Sequence, residues 1–215
     1  MRPKLVVQYG SGSSNVPPTV SLTSPSNGSS ATAPATVLVS ANASDSDGTV
    51  SRVDFYAGTT LIGSDSSAPY SVTWGNVPAG SYTLTAVAVD NLGASTTSAA
   101  VKVAVNAITI ASSANPVVAG TNVTFTASVT GNAPTGGVTF ADAGTTIAGC
   151  NAVPLTGAGS VRTATCATST LAVGIHSITA GYSGDTNNQF VTSAPLSQSV
   201  TATGGSDTIW LDDAV

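Results

Sequence analysis

Residues 81–89 read Ser81-Tyr82-Thr83-Leu84-Thr85-Ala86-Val87-Ala88-Val89. Tyr82, Leu84, Ala86 and Ala88 alternate with Thr83, Thr85 and Val87. Side chains two residues apart share one face of a strand, so this stretch reads as pleated backbone with one face turned to a core. The turn signal Pro78-Ala79-Gly80 precedes it and Asp90-Asn91-Leu92-Gly93 follows it. Both supply residues that tight turns need.

Working outward, the same pattern repeats. Thr19–Thr23 opens the series. In Thr36–Ala43, Val37, Val39, Ala41 and Ala43 share a face. Ser44-Asp45-Ser46-Asp47-Gly48 turns the chain into Thr49–Tyr56, where Ser51, Val53 and Phe55 oppose Arg52, Asp54 and Tyr56. Gly58 leads into Thr60–Ile62, Tyr70, Val72 and Trp74 share the next strand, and Thr97–Val105 closes the set. About seven short strands is the count of a two-sheet sandwich.

The plan then recurs. Val53–Leu61 resembles Val138–Ile147, and Ala79–Ala86 resembles Val173–Ala180. Gly58 corresponds to Gly144, an offset of 86, and Gly80 to Gly174, an offset of 94, so the second copy carries eight added residues between these landmarks. One scaffold is used twice. The expected organisation is therefore all-β, two tandem immunoglobulin-like antiparallel β-sandwiches over residues 16–105 and 106–203. Residues 1–15 are expected to end a preceding module, through a strand at Lys4–Tyr9 and the linker-like Gly10–Asn15. Residues 204–215 are expected to begin a following one, with Trp210 in it. Val105-Asn106-Ala107 leaves almost no linker between the two sandwiches.

Composition narrows the function. Of 215 residues, 41% are hydrophobic and 7% charged, so the chain can fill two cores and lacks the charge of a disordered tail. Its net charge is −5, with 5 Lys plus Arg, which excludes the clustered cations that nucleic acid requires. No apolar run reaches bilayer length. After Met1-Arg2-Pro3-Lys4 the apolar stretch Leu5-Val6-Val7 is too short for a signal-peptide core, so the expectation is an internal piece of a longer exported protein, the alternative being export dictated elsewhere.

Cys150 and Cys166 fall within the added region. Cys150–Leu155 and Ser160–Cys166 read as two strands joined by Thr156-Gly157-Ala158-Gly159. A hairpin centred on Ala158 would set Leu155 opposite Val161 and Cys150 opposite Cys166, within reach of a disulfide. The alternative is two buried free thiols. Two cysteines and one distant histidine are too few ligands for zinc.

Several of these segments resemble known families. Thr19–Val105 resembles a bacterial Ig-like domain, through Asn15–Pro25, Asp45–Val50, Val53–Gly63 and Ala88–Ala94. Residues 107–203 resemble a second bacterial Ig-like type, through Ser113–Pro116, Ala119–Ala127, Gly137–Phe140 and Ile178–Asp185. Pro3–Tyr9 is similar to the end of a DNRLRE-type β-sandwich module. The resemblance implies spacer, stalk or accessory modules with no catalytic residues to carry over.

Four groups of side chains are candidates for more. Asp45, Asp47 and Asp90, with Asn91, lie on two turns and could offer oxygens to calcium, or simply cap backbone N–H groups. No other cofactor is expected. Tyr82 stands where a tyrosine corner would, and His176 takes the equivalent place in the second copy as a structural donor. Tyr56, Tyr70, Trp74 and Tyr182 could form a sugar-stacking platform or fill the cores. Asn27-Gly28-Ser29, Asn42-Ala43-Ser44 and Asn122-Val123-Thr124 match a glycosylation sequon but read as turn and strand composition. With one His and few carboxylates, no acid/base pair is visible and an enzyme is not expected. The expected role is an extracellular or cell-surface spacer, monomeric, whose partners are neighbouring modules of its own chain. The alternative is a module that binds polysaccharide or a host-surface glycan.

Overall fold

The computed structural model describes residues 14–204. The strand expected at Lys4–Tyr9, the DNRLRE-like segment, and the linker and Trp210 beyond Gly204 lie outside the described residues. Every regular element among those described is a strand. By contacts the chain divides into two compact units. The first holds residues up to Asn27, Thr36–Trp74 and Thr83–Val101; the second holds Gly28–Ala35, Gly75–Tyr82 and Lys102 onward.

The first nine strands are β1 (Thr19–Ser24), β2 (Ser29–Thr32), β3 (Ala35–Ser44), β4 (Val50–Ala57), β5 (Thr60–Asp65), β6 (Tyr70–Val77), β7 (Gly80–Asp90), β8 (Ser95–Thr97) and β9 (Val101–Ser112). The order β1-β3-β6 makes one sheet of the first unit; β7-β4-β5, with β8 on β7, makes the facing one. Alternation sets the burial. Val37, Val39 and Ala41 of β3, Val53 and Phe55 of β4, and Leu84, Ala86 and Ala88 of β7 are buried. Asp54 departs from the pattern, being buried on the face assigned to polar side chains. It accepts from Arg52 Nε at 3.0 Å and from the Ser64 hydroxyl at 2.6 Å.

The closing strand expected at Thr97–Val105 is broken. Residues 98–100 belong to no strand, and the buried Ser98 there donates to the Ala99 carbonyl and accepts from Ala86 N–H. The chain resumes as β9, which runs on to Ser112. Its first part pairs in parallel with β2, Ser29↔Val103 to Thr32↔Asn106, a strand the periodicity did not suggest. Its second part pairs antiparallel with β11, Ala107↔Thr130 to Ser112↔Phe125.

The second unit adds β10 (Val117–Val118), β11 (Val123–Thr130), β12 (Gly137–Asp142), β13 (Thr145–Thr146), β14 (Val153–Pro154), β15 (Val161–Thr168), β16 (Gly174–Tyr182), β17 (Val191–Thr192) and β18 (Leu196–Thr201). β15, β11 and β9 lie side by side in one sheet; the other is β10-β18-β16-β12-β13, with β14 on β12 and β17 on β16. The β10–β18 ladder is parallel, so the sandwich is not purely antiparallel. Between the sheets lie Phe125, Phe140, Ile178, Tyr182, Val123, Val129 and Val138, each at most 1% exposed. Burying a side chain of this size stabilises by roughly 1.5–3 kcal/mol before chain entropy is counted, so these seven residues set the stability of the unit.

The cysteine hairpin does not form. β14 pairs with β12 and β15 pairs with β11, so the two segments belong to opposite sheets. Only Thr156↔Thr163 bridges them, a register that does not bring Leu155 opposite Val161; Val161 pairs with Thr130. Cys150 sits in the loop beyond β13, where its carbonyl accepts from Phe140 N–H at 3.0 Å. Cys166 lies in β15 opposite Phe125. The two sulfurs are bonded with Cα atoms 5.5 Å apart, so the disulfide joins the two sheets rather than two arms of a hairpin.

Candidate functional site

The Asp45-Ser46-Asp47-Gly48 turn and the Asp90-Asn91 turn meet at one end of the first unit. Asp90, 2% exposed, accepts from the N–H groups of Leu92 (2.8 Å) and Ala94 (2.9 Å) through Oδ1, and from Asn15 Nδ2 (2.8 Å) through Oδ2. Burial pushes this carboxyl up, but the bonds from Asn15, Leu92, Ala94 and Gly93 outweigh it and hold the pKa below the usual carboxylate value. Asp47 accepts from Val16 N–H at 3.1 Å, Asp45 Oδ1 from Asp47 N–H at 3.3 Å, and Asn91 Oδ1 from Thr49 N–H at 2.9 Å. Most of these oxygens hold backbone donors in turns. Asp45 Oδ2 and Asn15 Oδ1 are buried and meet no donor. Among the described residues, no three His, Cys, Asp or Glu side chains converge as metal ligands.

A larger polar centre lies in the second unit and was not singled out from the sequence. Asp185 Oδ2 accepts from Thr135 N–H (2.6 Å), Thr135 Oγ1 (3.0 Å) and the Tyr182 hydroxyl (2.8 Å). Oδ1 accepts from the N–H groups of Asn187 (2.7 Å) and Asn188 (2.9 Å) and from Asn188 Nδ2 (2.9 Å). Asn188, 1% exposed, in turn holds Asn132 by both its N–H (2.7 Å) and its carbonyl (3.1 Å). Burial opposes the charge on Asp185, yet the ring of donors brings its pKa down to about 2. Tyr182 moves up, through burial first and then through its bond to the carboxylate. The signal in the sequence was Asp185-Thr186-Asn187, an Asx-type turn whose further partner Thr135 lies 50 residues away.

Tyr82 and His176 occupy equivalent positions, the first inward-facing places of β7 and β16. The Tyr82 hydroxyl donates to the Pro78 carbonyl at 2.8 Å, and burial raises its pKa. His176 places Nε2 2.8 Å from the Ala172 carbonyl and Nδ1 2.6 Å from Asp142 Oδ2. Each ring reaches a carbonyl four residues upstream. The Ala172 carbonyl first, then Asp142, raises the His176 pKa, against a smaller opposing effect of burial.

The family described as Bacterial Ig domain matches residues 18–86, and that described as Bacterial Ig-like domain (group 3) matches residues 109–201. Two bacterial Ig-like domains stand in tandem in this chain. Neither match reaches Pro3–Tyr9. No curated protein matches the chain. Among solved structures, the Clostridium thermocellum CbhA fibronectin(III)-like modules are 38% identical, covering 40% of this chain and 94% of that one, with a TM-score of 0.39. The Dpr2 Ig1-Ig2 structure in complex with DIP-Theta is 13% identical over 88% of this chain and 66% of that one, TM-score 0.46. The Escherichia coli adhesin FdeC is 17% identical over 86% of this chain and 64% of that one, TM-score 0.42.

The four aromatics weighed as a sugar platform do not form one. Tyr70 and Tyr182 are buried, in different units, while Tyr56 and Trp74 are half-buried. In the second bacterial Ig-like domain the exposed aromatic is Phe190, 65% exposed. It flanks a groove of about 410 Å³ on the outer face of β12 and β16, floored by Thr139, Ala141, Thr179 and Gly181. Phe190 escaped the sequence reading because it lies in a loop, where period-two alternation says nothing about exposure.

Proposed function

We propose that this chain is a non-catalytic extracellular spacer within a longer multimodular secreted or surface protein. The observation that supports the reading is the pair of bacterial Ig-like domains in tandem. No Gly/Ser-rich run stands at Val105-Asn106-Ala107, so the swivelling of such a linker is not expected there. The disulfide and the family matches accord with an oxidising, extracellular setting. The buried polar groups described above are bonded mainly to backbone and to one another, as in a scaffold. Small-angle scattering compares the chain with a variant carrying eight Gly/Ser residues inserted between Val105 and Asn106. The natural chain should give the narrower distribution of dimensions; equal breadth in both removes the spacer reading.

A second reading, a glycan-binding accessory module, is favoured by Phe190. An aromatic ring beside an uncharged groove lined with hydroxyls suits the apolar face and hydroxyl edge of a neutral sugar. Retention on chitin, cellulose or xylan that Phe190→Ala abolishes would support it. No retention on any of them removes it.

A further inference from the structure

The two corners described above differ in one chemical respect. Tyr82 needs no proton from solution to donate to the Pro78 carbonyl. His176 faces two oxygens that can only accept, the Ala172 carbonyl at 2.8 Å and the Asp142 carboxylate at 2.6 Å. A neutral imidazole carries one N–H and one lone pair. In the neutral form one ring nitrogen therefore points a lone pair at an oxygen lone pair, on a side chain 14% exposed. Only the imidazolium satisfies both contacts.

We propose that His176 is a proton-operated form of the corner: as imidazolium it ties the 169–173 loop and the end of β12 to β16, and this end of the second domain loosens when the ring loses its proton. The loop carries Leu171, which packs against the core, so releasing the Ala172 carbonyl frees a residue that helps close the sandwich. Asp142 is held for this task, its other oxygen accepting from Ser177 N–H at 3.2 Å. The elements around the ring are β12, the loop and β18. β12 supplies Asp142 as the charged group facing it. The loop supplies a carbonyl. β18 places Gln198 in register with His176, a neutral side chain that bonds Ser112, Ala114 and Ser199. In sign, a histidine whose folded pKa stands above its unfolded value contributes stability in full below about 6.5, and loses it as pH rises through the folded value.

His176 is the sole histidine of the chain, so its ring gives a single set of imidazole resonances. The natural protein should titrate above 6.5, and Asp142→Asn should bring the midpoint down. A midpoint at or below 6.5, or one that Asp142→Asn leaves in place, overturns the proposal. The second measurement is calorimetry from about pH 5.5 to pH 9.5 on the natural protein and on His176→Tyr, which grafts the other corner. The second domain's transition should fall by several degrees with rising pH in the natural protein and stay level in His176→Tyr. The same slope in both overturns the proposal. If His176→Tyr does not fold, the ring titration of the natural protein and of Asp142→Asn decides alone.

Discussion

Replacing Asp185 by Asn probes the polar centre of the second domain with almost no change in shape. Seven contacts from Thr135, Tyr182, Asn187 and Asn188 converge on its two oxygens, and every partner is a donor. An amide keeps one acceptor. If its oxygen stays with Asn187 and Asn188, its NH₂ meets the Thr135 N–H at the site where 2.6 Å now separates donor from acceptor. Flipping the amide moves the clash to the other pair. A donor left without an acceptor costs about 1–3 kcal/mol, and bonds to a charged group are worth about 1.5–3 kcal/mol each. The pH linkage gives an independent figure: lowering the carboxyl from 3.8 to about 2 corresponds to roughly 2 kcal/mol. Together these put Asp185→Asn at about 3 kcal/mol, or very roughly 15 °C for a domain of this size. Asp185→Ala, which also removes the caps on Asn187 and Asn188, should cost more. Scanning calorimetry of the whole chain reads this as one transition moving down while the other stays. A carboxylate with a depressed folded pKa contributes stability above its unfolded value and loses it as pH falls. The gap between natural protein and Asp185→Asn should therefore be full above about pH 4 and close between 3.8 and about 2. A change under about 0.5 kcal/mol, the ordinary range for surface substitutions, would refute the reasoning, as would a gap that ignores acid.

Cys150→Ser with Cys166→Ser should destabilise the second domain by about 3 kcal/mol, as expected for cross-linking residues 16 apart; thiol titration of the unfolded natural protein should find no free thiol, and two would contradict the structure. Gly131→Ala would drive a methyl into the Asn188 amide oxygen and should cost about 1–3 kcal/mol, whereas Gly75→Ala meets open space and should stay within about 0.5 kcal/mol in chemical denaturation. Millimolar calcium should leave both calorimetric transitions within about 1 °C, because Asp47 and Asp90 already hold backbone N–H groups and too few free oxygens remain for six to eight ligands. A rise of several degrees reversed by a chelator would instead show a cation taken up by the undonated oxygens of Asp45 and Asn15.

The sequence by itself determined most of the longer strands, their inward faces and the doubling of the scaffold. Period-two burial is local: Leu84, Ala86 and Ala88 face a core whatever opposes them, and Val53 and Phe55 likewise. Tyr82 and His176 could be placed at equivalent corners for the same reason, since each reaches a carbonyl only four residues back. What lay beyond reach was anything fixed by the partner of a strand. The cysteines face one another in the imagined hairpin and also in the real sandwich, but by different routes, because a chain that crosses from one sheet to the other defeats the assumption that sequence neighbours pair. Asp185 could not be read as a centre without Thr135, nor Asp54 as buried without Ser64. Sequence periodicity records which side of a strand is dry, and only the packed sheets decide which dry sides and which turns meet.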